Sequence, residues 1–173
     1  MGDMSKARVR STKEKHMKRS IQERWPWLEE VRGMRSQLLD ILSNADLAFS
    51  PGGQNMTLGV LLRKMGDLEH SYIQSLKTGV RDLSYHNTEA GLESDITRLK
   101  AWFQALDEEM LETISAFSNE ELTKRVDRGG FHSTVEREID HYGEALLIFF
   151  GKATIYLLAM NKPVPESIES TIG

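Results

Sequence analysis

The chain has 173 residues, 39% of them hydrophobic and 28% charged, with a net charge of −4 and no cysteine. That length suffices for one domain with a full hydrophobic core. The missing cysteines exclude a disulfide framework, a thiolate nucleophile and a sulfur-ligated zinc site.

The first segment, residues 1–19, holds Lys6, Arg8, Arg10, Lys13, Lys15, Lys18 and Arg19 against Asp3 and Glu14, a local net of +5, which leaves −9 on the rest. It has no continuous apolar stripe and reads as a flexible solvated extension, with the single domain over 20–173. A short basic patch binds phosphate only non-specifically, so nucleic acid is not expected as a partner. Starting the chain near Ser20 is expected to change its melting temperature by only a few degrees. No apolar run follows the basic start, so no secretory signal is read. The densest apolar run, Ala145 to Phe150, is six residues, against the roughly 20 needed to cross a bilayer. A cytoplasmic protein without a membrane partner is expected.

Four amphipathic helices follow. The first is expected to open at Pro26, which suits a first turn, and to bury Trp27, Val31, Met34, Leu38 and Leu42. Ser50-Pro-Gly-Gly-Gln-Asn55 then breaks the pattern. Thr57 caps the second helix, whose stripe is Leu58, Leu61, Met65, Leu68, Tyr72 and Leu76. A third runs from about Leu92 to Phe117 through Ile96, Leu99, Phe103, Leu106, Met110 and Ile114. Ser133 and Glu136 have capping-box spacing for the fourth, which buries Val135, Ile139, Tyr142, Leu146, Phe149, Ala153 and Tyr156. Asn161-Lys-Pro-Val-Pro165 ends it, and a short C-terminal tail remains. No segment alternates with period two, so an all-α four-helix bundle is the expected architecture. Gly59, Gly66, Gly143 and Gly151 concentrate on the second and fourth helices, where they allow close helix approach.

Several of these phrases belong together. Trp27-Leu-Glu-Glu-Val-Arg-Gly-Met-Arg35, Asp46-Leu-Ala-Phe-Ser-Pro51, the segment from Thr57 to Tyr72, Asp127-Arg-Gly-Gly-Phe131 and the helix around Gly151 resemble, in order and spacing, the DinB-like family of metalloenzymes. The resemblance covers roughly residues 22 to 165. It implies a bundle of the DinB-like type, a homodimer, and a divalent metal, zinc or nickel, between the second and fourth helices. It also implies a thiol-dependent transferase or isomerase activity with a low-molecular-weight thiol or other small-molecule partner. Members of the family carry a His two residues after the Leu-Leu pair, and a His-x-x-x-His ending two residues before the Gly. In that register Lys64, Ala145 and Phe149 occupy the three ligand positions.

An ammonium, a methyl group and a phenyl ring are poor metal donors. The expected function is therefore a non-catalytic or divergent DinB-like protein that lost the metal triad, with no cofactor. The competing reading is a metal- or thiol-dependent transferase or hydrolase using a displaced site. The residues that would line such a pocket are Lys64, Asp67, His141 and Glu144, with His141 one turn before Ala145 and Glu138 or Glu144 beside it. Lys64 and Asp67, at i and i+3, otherwise make an ordinary helix ion pair. His70 lies on another face of its helix, and His16, His86 and His132 read as solvated.

Overall fold

A computed structural model of the chain describes residues 19–172. Four long helices, α1 (Arg19–Asp40), α3 (Leu58–Thr78), α4 (Ile96–Ser115) and α6 (Val135–Ala159), make up most of it. Shorter helices α2 (Asn44–Leu47), α5 (Asn119–Leu122) and α7 (Glu166–Ile172) fill the connections and the end, and a single 3₁₀ turn (Leu92–Ser94) precedes α4. α1 packs on α4 and α6, and α3 packs on the same two, so α1 faces α3 across the bundle. The basic segment read as an extension lies outside the described residues, apart from Arg19 at the start of α1.

Each long helix buries one stripe. Leu28, Val31, Met34 and Leu38 come from α1, Leu58, Leu62, Met65 and Ile73 from α3, Leu99, Phe103 and Met110 from α4, and Ile139, Tyr142, Leu146 and Phe150 from α6. Thr57 caps α3 as expected, its hydroxyl accepting from Val60 N at 3.4 Å. Gly66 has a defined packing role. A Cβ there would stand 2.4 Å from the Trp102 ring, so the indole of α4 lies where a side chain of α3 would be. At Gly59 a Cβ would overlap the Glu93 carbonyl.

Five expectations need correction. Pro26 sits inside α1, which begins at Arg19. Trp25 shares the face of Leu28 and Arg32 and is buried, and burial on that face offsets the hydrogen bond a mid-helix proline removes. The α6 cap is Thr134, whose hydroxyl accepts from Arg137 N, because the helix starts at Val135, one residue later than Ser133 would cap. A strand, β2 (His132–Thr134), runs antiparallel to β1 (Arg125–Asp127). Three-residue strands are too short to display an alternation, so the hairpin left no periodic signal. The C-terminal tail forms α7, anchored by fully buried Ile168 and by Ser167 on Gln37. Phe149 is only partly buried, and Phe150 is the aromatic ring in the core.

α6 also corrects the membrane estimate. By length and composition alone it is apolar enough to span a bilayer, although no single run in it is long. Its Ile139, Tyr142, Leu146 and Phe150 are instead the core of the bundle.

Truncation should separate the two adjacent rings. Phe150→Ala is expected to cost about 3–5 kcal/mol through lost burial and a cavity, and Phe149→Ala about 1 kcal/mol. Urea unfolding of both variants measures this, and the reverse order would restore Phe149 to the core.

Candidate functional site: a buried charge cluster beneath a surface cleft

The polar residues α1 buries shape the centre of the bundle. Arg32 and Arg35 lie one turn apart on the face that otherwise carries Leu28, Val31 and Leu38, and both are buried. Burying a guanidinium is tolerable only with counter-charges and hydrogen bonds in place, and the other three long helices supply them. Arg35 Nη1 donates to Glu69 Oε2 of α3 at 2.5 Å, and Nη2 to Asp107 Oδ2 of α4 at 2.6 Å. Tyr142 of α6 donates its hydroxyl to the same Glu69 oxygen at 2.8 Å. Arg32 donates to the Asp107 carbonyl at 2.8 Å, and its Nε stands 2.8 Å from Asp107 Oδ1 without hydrogen-bond alignment. The guanidinium of Arg35 stacks over Phe103 at 4.7 Å, and that of Arg32 over Trp25 at 5.1 Å.

These surroundings set the protonation states. Burial alone would lower the Arg35 pKa, but the charges of Glu69 and Asp107 outweigh it and hold it above its ordinary value. Burial pushes the Glu69 carboxyl above the usual range, against the opposing pull of Arg35. Tyr142 is pushed up by burial and by the Glu69 charge, so it stays a neutral donor. The cluster sets two arginines against two acids, and Arg32 Nε and Nη1, Glu69 Oε1 and Asp107 Oδ1 keep no hydrogen-bond partner among the described residues. One turn before Tyr142, Glu138 is also fully buried, with neither oxygen hydrogen-bonded among the described residues, and its ion pair to Arg128 Nε is 3.6 Å long.

The cluster reaches the surface between α1 and α4. A cleft of about 250 Å³ has Arg35 and Asp107 in its floor, Leu39 and Phe103 as apolar walls, and Lys100 and Asp40, joined at 2.8 Å, among its lining. A second cleft, about 460 Å³, lies where α3 ends and combines Phe117 and Val135 with Lys77, Lys124 and Arg125.

Neither cleft is lined by Lys64, Asp67, His141 or Glu144. Lys64 is exposed on α3. Asp67 does not pair with it. The Asp67 carboxylate instead accepts from His86 Nδ1 at 2.9 Å and from Asn87 N at 2.8 Å, fastening the loop after α3. His86 is thus engaged rather than simply solvated. His70 stacks on Tyr85 of the same loop, with ring centroids 3.8 Å apart. Of the four pocket residues the structure joins His141 and Glu144, at 2.8 Å on α6. Ala145 and Phe149 are half-buried, and the Lys152 ammonium lies 5.2 Å from the Phe149 ring. Among the described residues no three His, Cys, Asp or Glu side chains gather to hold a metal ion. Sequence reasoning missed Glu69 and Asp107. Both are acids that helical periodicity assigns no partner, although Glu69 lies one turn from the buried positions Met65 and Ile73.

No family model matches the chain, and no curated protein sequence does. Its structure is similar to the crystal structure of a DinB-like protein, YjoA, from Bacillus subtilis. The superposition has a TM-score of 0.62 and 18% identity, covering 79% of this chain and 90% of that one. The all-α fold is that of a DinB-like protein.

Removing Arg35 should leave Glu69 buried without its cation. Arg35→Leu is expected to destabilise the fold by about 3–5 kcal/mol, and Arg35→Leu with Glu69→Leu by clearly less than the two single changes added. A double-mutant cycle in urea tests this, and additive losses would show that the two side chains act independently. The raised Glu69 value also fixes a pH dependence. Its contribution is fully present below the ordinary 4.5 and is lost as pH climbs through the raised value. The natural chain should therefore lose stability relative to Glu69→Gln over the pH interval that starts at the ordinary carboxylate value and runs up through the raised one. A gain over that interval would show that the carboxylate is stabilised as the anion.

Proposed function

We propose that this chain is a non-catalytic binding protein that uses the DinB-like scaffold without a divalent metal. The observation that carries the reading is the set of side chains at the positions where the resemblance expects ligands. Lys64 offers a cation, Ala145 a methyl group, and Phe149 a ring with the Lys152 ammonium over it. Two ammonium groups and no lone-pair donor suit neither zinc nor nickel, so the residues present do not fit the group. The charge cluster supports the same reading. Arg35 stays cationic and Tyr142 stays protonated, so neither is poised to exchange a proton near neutral pH. One concavity open to a small polar ligand is the cleft floored by Arg35 and Asp107. One fold hosts many activities, so the site and not the scaffold decides the function.

Metal titration tests it. The natural protein should take up no stoichiometric zinc or nickel at micromolar concentrations, and its melting temperature should not move. The combined Lys64→His, Ala145→His and Phe149→His changes supply an i, i+4 pair on α6 and one ligand from α3. That variant should bind zinc and melt higher in its presence. Stoichiometric metal on the natural protein, lost in His141→Ala, would overturn the proposal in favour of a site built on the His141–Glu144 pair.

A further inference from the structure

The second cleft, where α3 ends, has a cationic rim although the chain beyond residue 19 carries a net charge of −9. Leu76, Phe117 and Val135 give it an apolar lining, and Lys77, Lys124 and Arg125 stand around it against Glu121 alone. Two of the three cations already face an acid. Lys77 pairs with Glu109 at 2.5 Å, and Lys124 lies 3.6 Å from Glu121. Glu121 also serves the cap of α5, where its carboxylate accepts from Ser118 N at 2.8 Å. Arg125 is exposed and has no ion pair among the described residues. Its backbone is nonetheless held on both sides. Val126 is fully buried, Val135 N donates to the Lys124 carbonyl at 3.0 Å, and Asp127 N donates to the Gly79 carbonyl at 2.8 Å.

From this arrangement we infer that the cleft binds a small organic anion, a monocarboxylate carrying a short aliphatic or aromatic body. A volume of about 460 Å³ gives room for such a molecule, and apolar walls with a few placed polar groups are what small-molecule sites share. The charges set the ligand's sign. With Lys77 and Lys124 each facing an acid, the unmatched positive charge is that of Arg125, and it calls for a single negative one. A guanidinium is a planar fork that meets both oxygens of a carboxylate with two parallel hydrogen bonds. Lys77 and Lys124 add attraction from the sides, while Leu76, Phe117 and Val135 cover the body. The lining comes from the end of α3, the region of α5 and β1, and the start of α6, so its backbone is ordered before the ligand arrives. This cleft shares no residue with the one floored by Arg35 and Asp107. Anion binding in it holds whether or not the chain takes up metal, so metal titration and the test below can fail separately.

Octanoate is the probe, titrated by calorimetry into the full chain below its micelle-forming concentration. It should bind one-to-one, and octanamide and octylammonium should bind about tenfold more weakly or worse, for want of the charge-assisted bonds. Arg125→Glu, at an exposed position, should leave the circular dichroism and melting of the bundle intact and weaken octanoate by about tenfold or more. Arg125→Lys keeps the charge without the fork and should fall between the two. Lys100→Glu changes the net charge equally but lines the other cleft, and it should leave the affinity near its natural value. No binding at millimolar octanoate overturns the proposal. So does equal affinity for octanoate and octanamide, which would mean apolar partition alone. Octanoate binding that is indifferent to Arg125→Glu refutes it, as does equal weakening by Lys100→Glu, which would reduce the effect to net charge. An Arg125→Lys chain that binds as tightly as the natural one rejects the carboxylate fork. A chain that takes up anionic lipid vesicles through Arg125 but not octanoate also overturns it, and assigns the cleft to a membrane surface.

Discussion

Two buried arginines on α1 set the terms for the rest of the bundle. A guanidinium taken out of water loses several kcal/mol of hydration unless counter-charges and hydrogen bonds replace it. Here those groups come from three other helices: Glu69 from α3, Asp107 from α4 and Tyr142 from α6, the last through Glu69. The network is a cross-brace. Apolar side chains of similar volume allow helices to slide or rotate by small amounts at modest cost, whereas an ion pair at 2.5–2.6 Å does not. The helix register therefore follows from where the charges must meet.

Packing around the cluster is arranged to keep water out of it. Phe103 lies under Arg35 and Trp25 beside Arg32, so the flat faces of both guanidiniums contact rings while their edges make polar contacts. Gly66 admits Trp102 against α3, and Gly143 places the α6 backbone against Trp27, where a Cβ would stand 2.7 Å from the indole nitrogen. Close approach on two sides narrows the centre, and burial strengthens the electrostatic attraction between the paired groups. Only the Asp107 edge meets solvent, at the floor of the cleft between α1 and α4.

α6 carries three separate loads on different faces. Its inner face holds Tyr142, Leu146 and Phe150 in the core, a flank carries Ala145 and Phe149, and its outer face presents Ile148 and Ile155. This division explains why the helix has enough hydropathy to resemble a spanning segment while lying in a bundle. It also explains how a ring stands at Phe149 without belonging to the core. The residue lies beside the buried stripe, and Lys152 shields it.

The helical architecture was legible in the residue order because amphipathic stripes are local. Leu58, Leu61 and Met65, or Leu99, Phe103 and Met110, repeat at the helical period whatever they pack against, and Thr57 announces its helix by short-range chemistry alone. The likeness of the ordered phrases to DinB-like proteins was also readable there, and the structural match to YjoA supports it at the level of fold. Other features depended on contacts between distant segments. The hairpin between β1 and β2 is too short for a period, and the choice of Phe150 over Phe149 depends on the exact rotation of α6 against its neighbours. The pairing of Asp67 with the loop at His86 and Asn87 spans about twenty residues. The charge cluster was the least visible of all. Arg35, Glu69, Asp107 and Tyr142 are each unremarkable at their own positions, separated by 34, 72 and 73 residues in the pairs they form. No local rule predicts that ionised side chains will be buried, because their burial is favourable only once all the partners arrive together, and that convergence is decided by tertiary structure.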